Sequence, residues 1–378
     1  MIKSLRSFTN LVLCLLTAFI FMGGKSVNES DDKHDLQDVS AVDASLVASV
    51  QSLLDELCGN EEFSGTVLMA KGEEVLLEIA CGEASKRFHV PNNMDTKFNL
   101  GSMNKMFTAT AVMQLVEQGK VKMDDPVSKY VNKSWLPMEI TDKITIHHLL
   151  SHSGGLGSYF NKTYWNSSRE LYRSVDDFKP LVQGSKLEFE PGKKFRYSNT
   201  GMLLLGVVIQ KATREDYFDY VRQNIYAPAG MNNSDSYEMD QPVENLAIGY
   251  VTDKDSEYGW KNNIYKHVIK GGPAGGGFST ARDLHRFALA LRNEKLVSQA
   301  SLDLMWTDHF DEEYGYGFQV RTSEAGKIVG HSGGFPGLSA NLDIFLDQGY
   351  IIAVMTNHDQ SAHSLSAKIR EMIIEQNN

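Results

Sequence analysis

Ser102-Met103-Asn104-Lys105 runs straight into Met106-Phe107-Thr108-Ala109-Thr110-Ala111-Val112-Met113-Gln114-Leu115-Val116, and this stretch decides how the chain is read. Met106, Phe107, Ala111, Val112, Leu115 and Val116 recur at helical spacing, and Gly119 stands where a C-terminal cap belongs, so the pattern predicts an amphipathic helix. Ser102 and Lys105 then occupy neighbouring positions on one helix face. A serine hydroxyl is a weak nucleophile at neutral pH and needs a base beside it. A lysine can be that base where burial or nearby positive charge depresses its pKa. A hydroxyl at a helix start also gains from the helix N-terminus, which favours negative charge developing there. The plainer use of such a serine is to cap the helix.

Spacing alone does not choose between these, because Ser30-Asp31-Asp32-Lys33 repeats the pattern in a polar, acidic stretch. The residues downstream of Ser102 do. Tyr-x-Asn occurs at Tyr130, Tyr159, Tyr164 and Tyr197, but only Tyr197-Ser198-Asn199 follows a turn (Glu190-Pro191-Gly192) and leads into an apolar run, Met202 to Ile209. That run reads as a buried helix, with Tyr197 and Asn199 on the loop feeding it. His-Ser-Gly-Gly occurs at His152 and again at His331. The second copy follows Lys327-Ile328-Val329 and precedes Phe335-Pro336-Gly337 and the run Ser339 to Phe345, which reads as adjacent antiparallel strands. The first copy lies in a loop between helical patterns.

With Ser102-x-x-Lys105, Tyr197-Ser198-Asn199 and His331-Ser332-Gly333 in that order, the chain resembles the serine penicillin-recognising family, which comprises class C β-lactamases, DD-peptidases and their esterase and D-aminopeptidase relatives. The resemblance spans about residues 46–376, and the segments Leu149 to Leu156 and Pro273 to Leu284 add to it. It implies an α/β (α+β) fold, an antiparallel sheet flanked by helices with an all-helical lobe. It also implies Ser102 as nucleophile, Lys105 and Tyr197 sharing the proton transfer, and Asn199 orienting Lys105 and meeting a substrate amide. His331 would hold a substrate carboxylate or polarise Tyr197. The N–H groups of Ser102 and Gly334 would form the oxyanion hole, with Ser332 and Gly333 on the strand where substrate backbone approaches. His331 stands where β-lactamases of the family usually carry lysine and is more like the DD-peptidases, esterases and D-aminopeptidases. The activity expected is hydrolysis of D-alanyl peptides or esters through an acyl-serine. A class C-like β-lactamase is the alternative, and a catalytically silent cell-wall peptide-binding module is the rival from another class. The silent module predicts loss of catalytic residue types, and Ser102, Lys105, Tyr197 and Asn199 are all present.

Other chemistries fit less well. The net charge is −11 and no basic run interleaves with aromatics, which excludes nucleic acid as a partner. A small molecule or peptide is the expected substrate, with no cofactor. His148 and His152 are four apart but lack the Glu of a His-Glu-x-x-His zinc helix, so no metal is expected. The glycine run Gly271 to Gly277 has no Lys-Ser/Thr after it and reads as a flexible cleft-edge loop. Gly330-His331-Ser332-Gly333-Gly334 satisfies Gly-x-Ser-x-Gly, but a nucleophile elbow needs a helix next, and here a turn and a strand follow.

Lys3 and Arg6, an apolar run from Leu11 to Met22 and then Gly23-Gly24 have the layout of a secretory signal over residues 1–24, too short to span a bilayer comfortably. Residues 25–44 read as a polar, acidic tether. The mature chain is expected in the periplasm or secreted, touching membrane only through the signal segment if that is kept. One serine hydrolase domain then covers residues 45–376: a sheet lobe from about 45–95 and 313–376, a helical lobe from about 96–312, and a cleft between them. Strands at Gly65 to Ala70 and Val75 to Ala80 would bring Cys81 near Cys58. An oxidising compartment permits a disulfide there, and two independent buried thiols fit the spacing equally.

Overall fold

The structure, a computed structural model, describes residues 41–359 and 361–376. The signal segment 1–24 and the tether as far as residue 40 lie outside the described residues. Helix α1 (Ala41–Gly59) starts within the stretch read as tether. Its Asp43 is buried, and the carboxylate accepts from Lys71 Nζ at 2.9 Å and from the Tyr350 hydroxyl. Composition made Asp43 look like solvated linker. Partners 28 and 307 residues away hold it inside.

Strands β1 (Gly65–Lys71) and β2 (Glu74–Cys81) form the expected hairpin. Then come α2 (Asn104–Glu117), α3 (Asn199–Thr213) and α4 (Ala281–Arg292). The chain closes with β3 (Gln319–Ser323), β4 (Gly326–Phe335), β5 (Leu338–Phe345), β6 (Tyr350–Thr356) and α5 (Ser361–Gln376). The sheet order is β2-β1-β6-β5-β4-β3, every neighbour antiparallel. The two ends of the chain meet where β1 pairs with β6, with Gly65 opposite Thr356 and Lys71 opposite Tyr350.

The side-chain alternation of a strand explains why both faces of this sheet are covered. Val67 and Met69 of β1 and Ile352 and Val354 of β6 point into one core, where α1 (Leu46, Val50, Leu54) and α5 (Leu365, Ile369, Ile373) lie. Leu68, Ala70, Ile351, Ala353 and Met355 point the other way, into the larger core shared with α2, α3 and α4. Helix α4 packs on β1 and β6 and, through Phe287, against Phe107 of α2, with ring centres 4.7 Å apart. That segment is also less uniformly helical than its sequence suggests. Phe98–Asn99 pairs with Phe278–Ser279, and Tyr250–Thr252 pairs with Trp260–Asn262.

Helix α2 corrects the amphipathic expectation. It is buried from Asn104 through Met113, polar residues included, because α3, other helices of the middle segment and the loop carrying Pro273 close around it. Its hydroxyls are satisfied internally: Thr110 Oγ1 donates to the Met106 carbonyl at 2.7 Å and Thr108 Oγ1 to that of Pro273 at 2.8 Å.

Cys58 and Cys81 form a disulfide that ties the end of α1 to the end of β2, with Cα atoms 6.0 Å apart and a sequence separation of 23. Closing a loop of that length in the unfolded chain is worth about 3 kcal/mol. The Cys58→Ser/Cys81→Ser double variant is therefore expected to lose about 3 kcal/mol in urea unfolding while keeping its activity. Unchanged stability under non-reducing conditions contradicts the bridge.

Candidate active site

Ser102 sits on a single 3₁₀ turn, Gly101–Met103, that delivers the chain from a short strand into α2. No side-chain cap bond forms at the start of this turn or of α2, so the capping use of Ser102 does not apply. Its hydroxyl accepts from Lys105 Nζ at 3.1 Å and lies beside the Tyr197 phenol. The turn presses against β4: Gly101 has φ +51°, and a Cβ there would lie 2.9 Å from the Gly334 nitrogen. A Cβ at Gly333 would lie 1.9 Å from the Leu100 carbonyl oxygen. The glycines of β4 thus admit the nucleophile's own turn, where sequence had suggested they admit substrate backbone.

That contact sets Ser102 beside Gly334. The Ser332 N–H donates to the Gln319 side chain at 3.2 Å, so this edge of β4 faces away from β5. The N–H of Gly334, two residues on, points to the same side. The Ser102 nitrogen lies against the same strand, 3.1 Å from where a Cβ on Gly333 would stand, so the two N–H groups expected to form an oxyanion hole are brought close together.

Lys105 is 0% exposed. Its amine donates to the Ala274 carbonyl at 2.5 Å and lies 4.7 Å from the centre of the Tyr197 ring. Among the described residues no carboxylate pairs with it, and burial holds its pKa well below the ordinary lysine value. Burial pushes the Tyr197 phenol up, so its proton stays on. The amine can therefore accept a proton that the phenol cannot. Once protonated, it lies over the ring face that best stabilises a cation.

Asn199 opens α3 rather than lying on the loop before it, behind the N-cap Ser198. Its amide donates to Ser158 Oγ at 3.1 Å, and the Ala274 carbonyl holds Lys105 instead. The expectation that Asn199 orients Lys105 is corrected accordingly. The amide still lines the pocket mouth. The glycine run that carries Ala274 is not a loose cleft edge. It is pinned by Gly276 N–H to the Gly101 carbonyl at 3.0 Å, Leu100 N–H to that of Gly277 at 2.7 Å, and Asn104 Nδ2 to that of Gly272 at 3.2 Å.

His331 is 2% exposed and lies beneath the site. Its Nδ1 is 2.5 Å from the Ser332 carbonyl, which can only accept, so Nδ1 carries the proton and Nε2 accepts from the Tyr314 hydroxyl at 2.9 Å. Burial, then the neighbouring Lys105, pushes its pKa down to about 3. A neutral ring under the floor cannot hold a substrate carboxylate, which corrects that expectation.

His152, in the His-Ser-Gly-Gly copy set aside from sequence, belongs to the same layer. Its ring centre lies 4.6 Å from that of Tyr197 and 4.7 Å from that of Tyr314, and its Nδ1 accepts from the Ser198 N–H at 3.3 Å. The repeated tetrapeptide was the available signal. Nothing in the sequence showed that a loop residue 45 positions upstream of Tyr197 would support it. Tyr159 and Tyr164, the other passed-over Tyr-x-Asn tyrosines nearby, line the pocket with Phe160, His267 and Phe335.

The family profile described as Beta-lactamase matches residues 50–375. The chain belongs to the beta-lactamase family. Penicillin-binding protein 4* of Bacillus subtilis (strain 168) is 31% identical over 328 residues, covering 82% of this chain and 72% of that one. The crystal structure of a penicillin-binding protein from Bacillus halodurans superposes with TM-score 0.78 at 31% identity, over 84% of this chain and 98% of that one. The D-amino acid amidase of Ochrobactrum anthropi shares the fold, with TM-score 0.75 at 23% identity, over 88% and 100%. The beta-lactamase family joins penicillin-binding proteins and serine hydrolases on one scaffold, the antiparallel sheet and helices found here.

Proposed function

We propose that the protein is an exported serine hydrolase that forms an acyl-enzyme on Ser102 with uncharged esters and amides, D-aminoacyl ones included. The observation carrying this reading is the pocket beside Ser102. Tyr159, Phe160, Tyr164 and Phe335 wall it, and among the described residues no charged side chain lines it. Its imidazole, that of His267, is held neutral, with burial pushing the pKa down to about 4. A substrate carboxylate entering it would lose water and meet no cation, a costly exchange. The aromatic walls favour an apolar acyl group. The neutral His331 supports the same choice, moving the reading from a D-alanyl carboxypeptidase towards an esterase or amidase.

In this mechanism Ser102 Oγ attacks the substrate carbonyl while its proton passes to the neutral Lys105 amine. The oxyanion is held by the N–H groups of Ser102 and Gly334. The leaving alkoxide or amine takes a proton relayed from Lys105 through the Tyr197 hydroxyl. Water then attacks the acyl carbonyl by the same route in reverse and frees the acid. Export is supported by the N-terminal layout of Lys3, Arg6 and the apolar run to Met22, and by the Cys58–Cys81 bridge, a bond typical of oxidising compartments.

The test compares an N-acylated D-alanyl-D-alanine with the same peptide capped as its carboxamide, alongside p-nitrophenyl butyrate. The ester is expected to turn over, and the capped peptide to exceed the free acid in kcat/KM by about 10²-fold, the size of an unpaired buried carboxylate. A free acid preferred over its amide would sink this reading and restore the carboxypeptidase.

A further inference from the structure

The oxyanion donor on β4 has a partner on its far side. His363 lies in the first turn of α5, with Nε2 3.1 Å from the Gly333 carbonyl oxygen. A carbonyl can only accept, so Nε2–H is the donor. The peptide that accepts this bond is the one whose other end is the Gly334 N–H. In a trans peptide the C=O and N–H point in opposite directions. One unit therefore takes a hydrogen bond from His363 on the α5 side and offers its N–H on the Ser102 side. The ring is also packed on this unit: a Cβ at Gly334 would lie 3.3 Å from His363 Cε1.

We propose that His363 is a positioning residue that aims and polarises the Gly334 N–H of the oxyanion hole through the Gly333 carbonyl. The assignment rests on the acyl-serine reading above. His363 does not line the pocket, so it acts on the reacting oxygen through this peptide. Hydrogen bonds in series strengthen one another by about 10–30%, and one oxyanion donor is worth about 10²–10³ in kcat. Losing the support of His363 should therefore lower kcat about two- to eightfold. KM should stay within about twofold, because the charge that the N–H stabilises develops only in the transition state.

The experiment uses p-nitrophenyl butyrate, with a ¹³C-labelled carbonyl for difference infrared spectroscopy of the acyl-enzyme. It compares wild type, His363→Leu, His363→Gln and His363→Asn. In His363→Leu, kcat should fall as above while KM holds, and the acyl carbonyl stretch should move to higher frequency because its oxygen is held less strongly. His363→Gln, whose amide reaches as far as Nε2, should restore both. If the Leu variant does not fold, the Gln and Asn variants decide: the stretch should match wild type with Gln and rise with Asn, which is too short to reach. A kcat and stretch unchanged by Leu, or identical in Gln and Asn, overturns the assignment even if the melting temperature falls. A wild-type protein that turns over no ester and forms no acyl-enzyme overturns the hydrolase reading, and this assignment with it. Only that outcome touches the underlying reading.

Discussion

Ser102→Ala is expected to abolish covalent labelling and to lower kcat/KM by about 10⁴-fold or more, with the fold intact. The size follows from the chemistry. Without Oγ no acyl-enzyme forms, and the oxyanion hole and pocket keep only the residual advantage of binding and polarising a substrate for attack by water. The intact fold follows from the surroundings. Ser102 caps nothing, and its hydroxyl bonds only within the site, so stability should change by about 1 kcal/mol or less. Intact mass after brief exposure to benzylpenicillin or p-nitrophenyl butyrate, with wild type beside the variant, checks both points. The ester should leave a transient butyryl adduct on wild type only. A persistent penicillin adduct on wild type would add slow-deacylating penicillin binding. Destruction of the drug without an adduct would make the protein a β-lactamase. Equal turnover in the two proteins would remove Ser102 from the mechanism.

The sequence shows the parts whose information is local. The periodicities of β1, β2, β4, β5 and α3 are each confined to one short stretch, and each element forms where its pattern lies. Ser102 and Lys105 share a helix turn, so their proximity could be read before any fold was known. The pattern misleads where long-range packing overrides local character. Helix α2 carries the polar Thr108 and Thr110, yet both are buried, and the Pro273 carbonyl that covers Thr108 comes from 165 residues away. The same override hides the role of Ala274, because a backbone carbonyl has no sequence signature. It also moves His331 from the cleft wall to its floor: a strand residue faces one side or the other, and the Tyr314 hydroxyl that fixes its ring lies on a loop the motif does not include. Lys105, His152 and His331 all have depressed pKa values with burial as the leading cause, so the uncharged state of the whole layer is a property of packing.

That uncharged layer makes Lys105 the second decisive position. Lys105→Arg keeps a side chain of similar reach but replaces the neutral base with a fixed cation, because a guanidinium does not lose its proton in this range. A fall in kcat of about 10³-fold is expected, within the usual contribution of a positioned base. The pH profile carries the sign. The wild-type amine must be neutral to act, and burial depresses its pKa, so kcat/KM should rise with pH through that depressed value. Tyr197 keeps its proton to above the ordinary tyrosine range, which leaves a plateau on the alkaline side. The residual activity of Lys105→Arg should lack the acidic limb. Lys105→Met should be equally inactive yet more stable at neutral pH, because the wild type must deprotonate this lysine in order to bury it. Between the depressed folded-state pKa and the unfolded lysine value near 10.4, the unfolded chain binds the extra proton, so wild-type stability climbs as pH rises. The advantage of Lys105→Met should therefore shrink with rising pH and close near the unfolded value. Urea unfolding at pH 7 and pH 10 measures this directly. An advantage that is constant across that interval would mean Lys105 is buried as an ammonium, and Tyr197 would then have to supply the base.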